Sequence, residues 1–291
     1  MTDAPPDPEF YTVRELAELL RVKERRVYDL ADQGKIPSTR ATGRLLFPRR
    51  AIRAWLAREQ GGEEPRPQVF MGSHDPLLER ALRDSQCGLA TYFDSSEDGL
   101  RRFAAGECIA AGLHLYEPAG DQWNVPQVIQ HCRDTNAALI GWAERRRGLV
   151  IRPEDIPRIK GFEDLAGRRV MRRQPEAGTE SIFTFLLEDA GVDPSSFESA
   201  GIARSEQDAV MAVAEGRADA CFGLMSMARI FGLGFVGLSV ERFDLLVDRK
   251  AWFEDPFQMF LAHCLTDAFK AQMEAATGYD MDPLGLVRWN A

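Results

Sequence analysis

Residues 12–58, TVRELAELLRVKERRVYDLADQGKIPSTRATGRLLFPRRAIRAWLAR, constrain the fold more tightly than any other stretch of the 291-residue chain. Thr12 and Glu15 stand at capping-box spacing, so that hydroxyl and carboxylate satisfy the orphan amides of a helix start. Val13, Leu16, Ala17, Leu19 and Leu20 then recur at helical intervals and give one apolar face. Val22 interrupts that run. The spacing predicts a second helix over about 23–33 with Val27, Leu30 and Ala31 inward, and Gly34 stands where a left-handed cap closes it. Two extended pieces, 36–40 and 44–47, joined by Ala41-Thr42-Gly43, predict a small hairpin. Ile52, Trp55 and Leu56 mark the buried face of a third helix beginning near Arg49.

Helix, tight turn, helix, hairpin, helix is the layout of a winged helix-turn-helix, and charge agrees with it. Residues 12–58 hold twelve Lys or Arg against five Asp or Glu, in a chain of net charge −9. Lys23, Arg25 and Arg26, with Arg21, flank the start of the second helix; Arg40, Arg44, Arg49 and Arg50 surround the hairpin. A local excess of this kind supplies the phosphate attraction on which DNA affinity rests. The plainer alternative is a solvated basic face on a small helical domain. The segment resembles the excisionase-like or MerR-like helix-turn-helix family through Tyr11-Thr12-Val13-Arg14-Glu15-Leu16-Ala17, Val27-Tyr28, Gly34-Lys35-Ile36-Pro37, Phe47-Pro48-Arg49 and Trp55-Leu56. That resemblance implies a second helix in a major groove and a hairpin on backbone or minor groove. Arg25, Arg26 and Tyr28 are then the candidate groove contacts and Arg44 and Arg49 the phosphate contacts, with Lys23 and Arg40 completing the set.

On this reading residues 1–10 are an acidic, proline-rich and disordered lead-in, opposite in character to a signal peptide. The winged helix-turn-helix occupies 11–60. The Gly-Gly and prolines of EQGGEEPRPQ make a linker over 61–68. From residue 63 the balance inverts to 24 Lys or Arg against 36 Asp or Glu, so only the head is suited to meet DNA. No run approaches eighteen apolar residues. Five scattered cysteines form no CxxC and predict reduced core residues in a cytoplasmic chain.

The body, 69–291, alternates strand-like and helical segments. Strands are expected at 69–71, 89–93, 108–113, 169–171, 201–203, 218–224, 235–238 and 243–247, with helices between the early ones and at the C-terminal end. Repeated βα units predict an α/β fold of open, mostly parallel sheets, and about 225 residues suggest two similar lobes. Ligands collect at the carboxyl ends of such strands, where helix amino ends point. Four polar loops hold that position: Gly72-Ser73-His74-Asp75-Pro76, Asp94-Ser95-Ser96-Glu97, 173–179 and Arg204-Ser205-Glu206. Hydroxyls beside unpaired amides suit a small anion, although Ser and Asp also cap helices everywhere.

From residue 69 onward the chain resembles the periplasmic-binding-protein-like ligand domains found fused to helix-turn-helix heads and to molybdenum-cofactor biosynthesis proteins. The matching pieces include Gly72-Ser73-His74-Asp75-Pro76-Leu77-Leu78, Gly112-Leu113-His114-Leu115, Trp123-Asn124, Arg147-Gly148-Leu149, Arg172-Arg173-Gln174 with Gly178-Thr179, and Glu241-Arg242-Phe243-Asp244-Leu245. The resemblance implies a type II binding-protein fold, with one lobe over about 69–118 and 241–291 and a second over about 119–240. It also implies closure on molybdate, tungstate or another small anion. The candidate ligand residues are Ser73, His74, Asp75, Ser95, Ser96, His114, Tyr116, Arg173, Gln174, Gly178, Thr179 and Glu206. Glu176-Ala177 and Glu180 depart from the Gly-Ser and Arg of the family's anion loop, so they must point away or pair with Arg172 or Arg173. A carboxylate-lined pocket would favour a small organic metabolite carrying amine or hydroxyl donors.

Nothing marks a catalytic group, a metal site or a cofactor. His131-Cys132 and His263-Cys264 lack partners at ligand spacing, and no nucleophile has a base and oxyanion donors beside it. Gly232-Leu233-Gly234-Phe235-Val236-Gly237 matches G-x-G-x-x-G but follows a helix and precedes a strand, the reverse of the dinucleotide motif. Residues 142–147, WAERRR, read as a solvated turn. The function expected is a one-component transcription regulator, a homodimer on a double-stranded operator, sensing a small ligand. A DNA-localised enzyme and an architectural, excisionase-like protein are the rivals.

Overall fold

The computed structural model describes residues 9–40, 43–49, 51–52, 55–56 and 65–291. The lead-in before residue 9, the hairpin tip at Ala41 and Thr42, Arg50 and linker residues 61–64 lie outside the described residues. The chain forms two compact units, Met1–Arg66 and Pro67–Ala291.

In the first unit, β1 (Phe10–Thr12) leads into α1 (Val13–Leu20) through the predicted capping box. Thr12 Oγ1 accepts from the Glu15 amide at 3.3 Å, and the Glu15 carboxylate accepts from the Thr12 amide at 2.7 Å. Arg21 ends the helix in the left-handed region at φ 54°. α2 (Glu24–Asp32) follows, closed by Gly34 at φ 66°. Leu16, Ala17, Val27, Ile36, Phe47 and Ile52 are buried together, and Trp55 and Leu56 pack on them. Leu19 departs from the expected face and is exposed. The wing also differs from the prediction. Residues 36–40 form no strand; Thr39 makes a single antiparallel bridge to Leu46. β2 (Leu46–Pro48) instead pairs antiparallel with β1, so residue 10 belongs to the fold. The apolar alternation of Phe10-Tyr11-Thr12 was hidden by the proline-rich residues before it.

In the second unit, β3 (Val69–Gly72), α3 (Pro76–Asp84), β4 (Ala90–Phe93), α4 (Ser96–Ala104) and β5 (Ala110–Leu113) build the first lobe as predicted βα units. A short hairpin, β6 (Tyr116–Glu117) with β7 (Gln122–Trp123), then leads to α5 (Val125–Cys132). β8 (Ala137–Ile151) is a single 15-residue strand. The second lobe comprises β9 (Arg169–Arg173), α6 (Gly178–Asp189), β10 (Glu198–Ala203), α7 (Glu206–Ala214), β11 (Ala220–Leu224) and α8 (Met225–Ile230). A second 15-residue strand, β12 (Gly234–Asp248), returns to the first lobe. There α9 (Arg249–Trp252), α10 (Asp255–Cys264), α11 (Asp267–Ala275), β13 (Tyr279–Asp280) and β14 (Val287–Asn290) finish the chain.

The sheet order is β10-β9-β11-β8-β12-β5-β3-β4, with β13 and β14 also on β8. Strands pair in parallel at the two ends, while β8 and β12 run antiparallel through the middle. Each long strand therefore belongs to both lobes. Two sequence readings change here. The expected strands 235–238 and 243–247 are one strand, and the stretch read as a solvated turn, 142–147, is the middle of β8, with Trp142, Arg145 and Arg147 almost fully buried. The lobe boundary moves as well: Val128, Cys132, Ala137 and Leu139, assigned above to the second lobe, pack with Leu100, Phe103 and Leu113 of the first. All five cysteines are buried.

Gly148 faces Gly237 where the two long strands pair, beside a register shift in β12. A Cβ on Gly148 would fall on the Val236 carbonyl oxygen, and backbone cannot be moved aside as a side chain can. Gly148→Ala is expected to destabilise the body by roughly 3 kcal/mol, read as a fall of several degrees in the melting temperature of the full chain.

Candidate ligand-binding cleft

Between the lobes of the body lies a cleft of about 370 Å³. The first lobe supplies Ser73 and His74 from the loop after β3, Asp94 and Ser95 from the loop after β4, and His114 just beyond β5. The second supplies Arg173 at the end of β9, Gly178 and Thr179 at the start of α6, and Arg204, Ser205 and Glu206 at the start of α7. Arg147 of β8 forms part of the wall. Strand carboxyl ends and helix amino ends of both lobes thus converge, as the βα reading anticipates.

Ser95 and Ser205 are the N-caps of α4 and α7; each Oγ accepts from the amide three residues on, at 3.1 and 3.0 Å. A hydroxyl that accepts such a bond still has its own hydrogen to donate, so capping and ligand binding are compatible. α6 differs: its N-cap, Ala177, brings no capping side chain; the Glu180 amide donates to the Ala177 carbonyl at 2.8 Å, which leaves the amides of Gly178 and Thr179, both in the cleft lining, without a side-chain cap. A Cβ on Gly178 would stand 2.9 Å from His114 Cε1 and 3.0 Å from the His114 carbonyl oxygen. Only glycine lets the two lobes meet there.

Beneath the cleft runs a chain of buried charges. Asp75, the N-cap of α3, accepts from Arg145 at 2.8 Å, from the Tyr279 hydroxyl at 2.5 Å and from Trp142 Nε1 at 3.2 Å. Arg145 also pairs with Glu241 of β12. Glu241 takes Arg147 Nε at 2.5 Å and lies 3.2 Å from His114 Nδ1. Arg147 reaches on to Glu206 at 3.1 and 3.2 Å. Burial works against every one of these charges, and the partners decide the outcome. Arg145 and Arg147 hold the Glu241 carboxyl well below the usual range, Arg147 and Arg173 hold Glu206 below it, and Glu241 with Asp75 keeps the Arg145 guanidinium above its ordinary value. Burial pushes the His114 imidazole down despite Glu241, so it is neutral near pH 7 and its Nε2 shares a 2.9 Å hydrogen bond with Ser73 Oγ.

Eight predicted ligand residues meet at this cleft: Ser73, His74, Ser95, His114, Arg173, Gly178, Thr179 and Glu206. Four do not line it. Ser96 is fully buried behind Ser73, its Oγ 3.0 Å from Ser73 Oγ and accepting from the His114 amide. Asp75 is fully buried among the charges just described. Gln174 opens on an adjoining hollow with Glu176 and Asp94. Tyr116 packs its ring on Trp123 and Phe185 and donates its hydroxyl to Asp121 at 2.9 Å. Glu180 is turned away from the cleft, paired with Arg172 and accepting from the Arg173 amide at 3.0 Å. Arg145, Arg147 and Glu241, the buried charges beneath the cleft, were not among the candidate residues. The available signal was two-residue spacing inside a strand: Arg145 and Arg147 share the buried face and Arg146 points out.

On the first unit, α2 leaves Lys23, Arg25, Arg26 and Tyr28 exposed. Arg44 is exposed too, while Arg40 pairs with Asp32 at 3.2 Å. Arg49 is half-buried, its guanidinium 4.3 Å from the centre of the Tyr11 ring.

A two-lobed α/β body with an interlobe cleft, joined to a helix-turn-helix head, defines the class, and comparison with known proteins agrees. A PBP superfamily domain matches residues 78–265 and a helix-turn-helix domain matches residues 10–60. The chain belongs to the PBP superfamily and carries an N-terminal helix-turn-helix domain. It is 25% identical to the uncharacterized protein YvgK of Bacillus subtilis (strain 168), covering 95% of this chain and 97% of that one. A structure described as a phosphate ABC transporter substrate-binding protein with bound phosphate, from Clostridium perfringens, superposes with a TM-score of 0.50 at 14% identity. The match covers 73% of this chain and 98% of the other, a likeness of fold. The two domains resemble a DNA-binding regulator and a binding protein rather than an enzyme. No helix among the described residues is long and apolar enough to cross a membrane.

One buried carboxylate on β12, Asp244, lies outside that chain of charges. Asn124 has the unusual backbone of φ 59°, ψ −44°, and its side chain accepts from the Leu115 amide at 2.6 Å and donates to Asp244 at 2.7 Å. Burial pushes the Asp244 carboxyl up to about 6, against the Asn124 hydrogen bond and the attraction of Arg288. The folded chain therefore holds a proton that the unfolded chain releases nearer pH 4, and stability falls as pH rises between those values. Asp244→Asn is expected to remove this loss: its melting temperature, relative to the parent, should climb from pH 4.5 to pH 7.5, by the equivalent of up to about 3 kcal/mol. A constant difference across that range would contradict the assignment.

Proposed function

We propose that the protein is a one-component transcription regulator whose body senses a small oxyanion in the interlobe cleft and whose head reads an operator as part of a homodimer. The pairing of a helix-turn-helix domain with a PBP superfamily domain is that of a ligand-sensing DNA-binding regulator. The observation that carries the ligand reading is the meeting of neutral donors. Ser95 of the first lobe and Ser205 with the uncapped start of α6, at Gly178 and Thr179, of the second lobe line the one cleft. Helix amino ends and hydroxyls hold anions without adding fixed charge. The buried arginines are already matched by Asp75, Glu241 and Glu206, so the ligand's charge falls to those donors and to exposed Arg204. Molybdate or tungstate is the favoured ligand, in keeping with the sequence resemblance.

Glu206 in the wall favours a second reading: a small organic metabolite that carries an amine or hydroxyl beside its acid group. Calorimetry of the purified protein with molybdate, tungstate, phosphate and sulfate decides between them. Saturable binding of one oxyanion is expected, and Gly178→Ala should weaken it at least about tenfold, because the added methyl group would press on His114 across the cleft. Absence of heat with all four, together with an organic acid recovered by native mass spectrometry, would establish the second reading instead.

In the head, exposed Arg25, Arg26 and Tyr28 on α2 are assigned to the major groove, with Lys23, Arg40, Arg44 and Arg49 toward phosphates. Arg49 has the least freedom for that role, given its place over Tyr11. Two heads on half-sites one helical turn apart, roughly 34 Å, would give the contacts that one head lacks. Arg25→Ala with Arg26→Ala is expected to abolish the shift of an operator fragment in gels while oxyanion heats stay unchanged. A shift that persists sinks the assignment of α2.

A further inference from the structure

A second cavity, of about 440 Å³, opens between the lobes. The same two helices border both cavities: α3 gives Glu79 to the cleft and Pro76, Leu77 and Arg80 to the second cavity, while α8 gives Met227 to the cleft and Ser226, Arg229 and Ile230 to the second. α3 is anchored in the first lobe by Leu78, Ala81 and Leu82, and α8 in the second by Met227 and Ala228. An occupant would therefore touch both lobes at once.

The lining is chemically divided. Leu77, Ile230 and Ala276 make an apolar body, and Ile230 is 67% exposed. Arg80 and Arg229 stand on opposite lobes, and among the described residues neither guanidinium has an ion-pair or hydrogen-bond partner. Every guanidinium of the buried chain under the cleft, by contrast, is matched by a carboxylate. Gln272 adds an amide whose Oε1 is buried without a hydrogen bond. The volume lies within the range of small-molecule sites, which combine an apolar lining with a few placed polar groups.

The geometry points to a second effector site, distinct from the cleft, for an amphipathic monocarboxylate: a ring-sized apolar body with one carboxylate held by Arg80 and Arg229. Two like charges on one cavity repel each other, and an anion between them turns that repulsion into two charge-assisted hydrogen bonds. A monocarboxylate matches this lining where a bare oxyanion would leave the apolar wall uncovered.

Phenylacetate is the probe, titrated by calorimetry into the full chain. Saturable binding in about the millimolar range or tighter is expected for a ligand of this size. Arg80→Ala with Arg229→Ala should weaken it at least about tenfold, and phenylacetamide, which lacks the charge, should bind the parent at least about tenfold more weakly. Arg204→Ala, which alters only the cleft, should leave phenylacetate affinity within about twofold. Both arginines are exposed, so an unchanged melting temperature verifies that the double variant is folded. No saturable binding, equal affinity for the amide, or loss with Arg204→Ala but not with the double variant would each overturn the site.

Discussion

The body is built around a line of charges that runs from its interior to the cleft wall: Asp75, Arg145, Glu241, Arg147 and Glu206 in sequence, each touching the next. Burying any one of them alone would cost several kcal/mol, and losing a single partner from such a pair typically costs about 3–5 kcal/mol. The line ties together the start of α3, the middles of β8 and β12 and the start of α7, which are the elements that shape the cleft. Well-packed apolar residues of similar volume often serve stability equally well. What the charges add is direction, since each carboxylate fixes the orientation of a guanidinium and so the place of a helix end.

That arrangement explains how a cleft with arginine in its walls can suit a small ligand without clamping it by bare charge. Arg147 is committed on both sides, to Glu241 and Glu206. Arg173 is occupied by the carbonyls of Ala203 and Arg204 at 3.2 Å each. The groups left to face a guest are the cap hydroxyls of Ser95 and Ser205, the uncapped start of α6 and exposed Arg204. Their affinity comes from being held in place, with little ordering left to do on binding.

Much of this was legible in the sequence because local rules carry it. The Thr12–Glu15 box, Gly34 and the Val13–Leu20 face needed no tertiary information, nor did the βα units of either lobe. Eight of the twelve candidate residues, chosen from loops that follow strands and precede helices, line the cleft. The failures share one cause. β8 is covered on both faces, and buried arginines paired with distant carboxylates look, in sequence, like a solvated run. Glu241 lies 94 residues from Arg147, beyond any local pattern. Asp75 and Ser96 were rightly found near the cleft but act behind it, because helix caps and ligand donors use the same residue types. The wing was misplaced for a related reason: β1 is three residues long and borrows its partner from 34 residues on, where Thr12 meets Leu46.

The path of the two long strands also governs the order in which the molecule can be assembled. The central strands of the first lobe include the later half of β12 and, at its edge on β8, β14, yet these are synthesised after β9, β10 and β11 of the second lobe. A nascent chain that has reached the first half of β12 holds every strand of the second lobe, while Phe70, Trp142 and their neighbours still await Phe243, Phe257, Phe260 and Phe269. The lobe that begins first is thus finished last. Its early strands spend much of translation with apolar faces uncovered, the condition under which an unfinished lobe is exposed to misassembly.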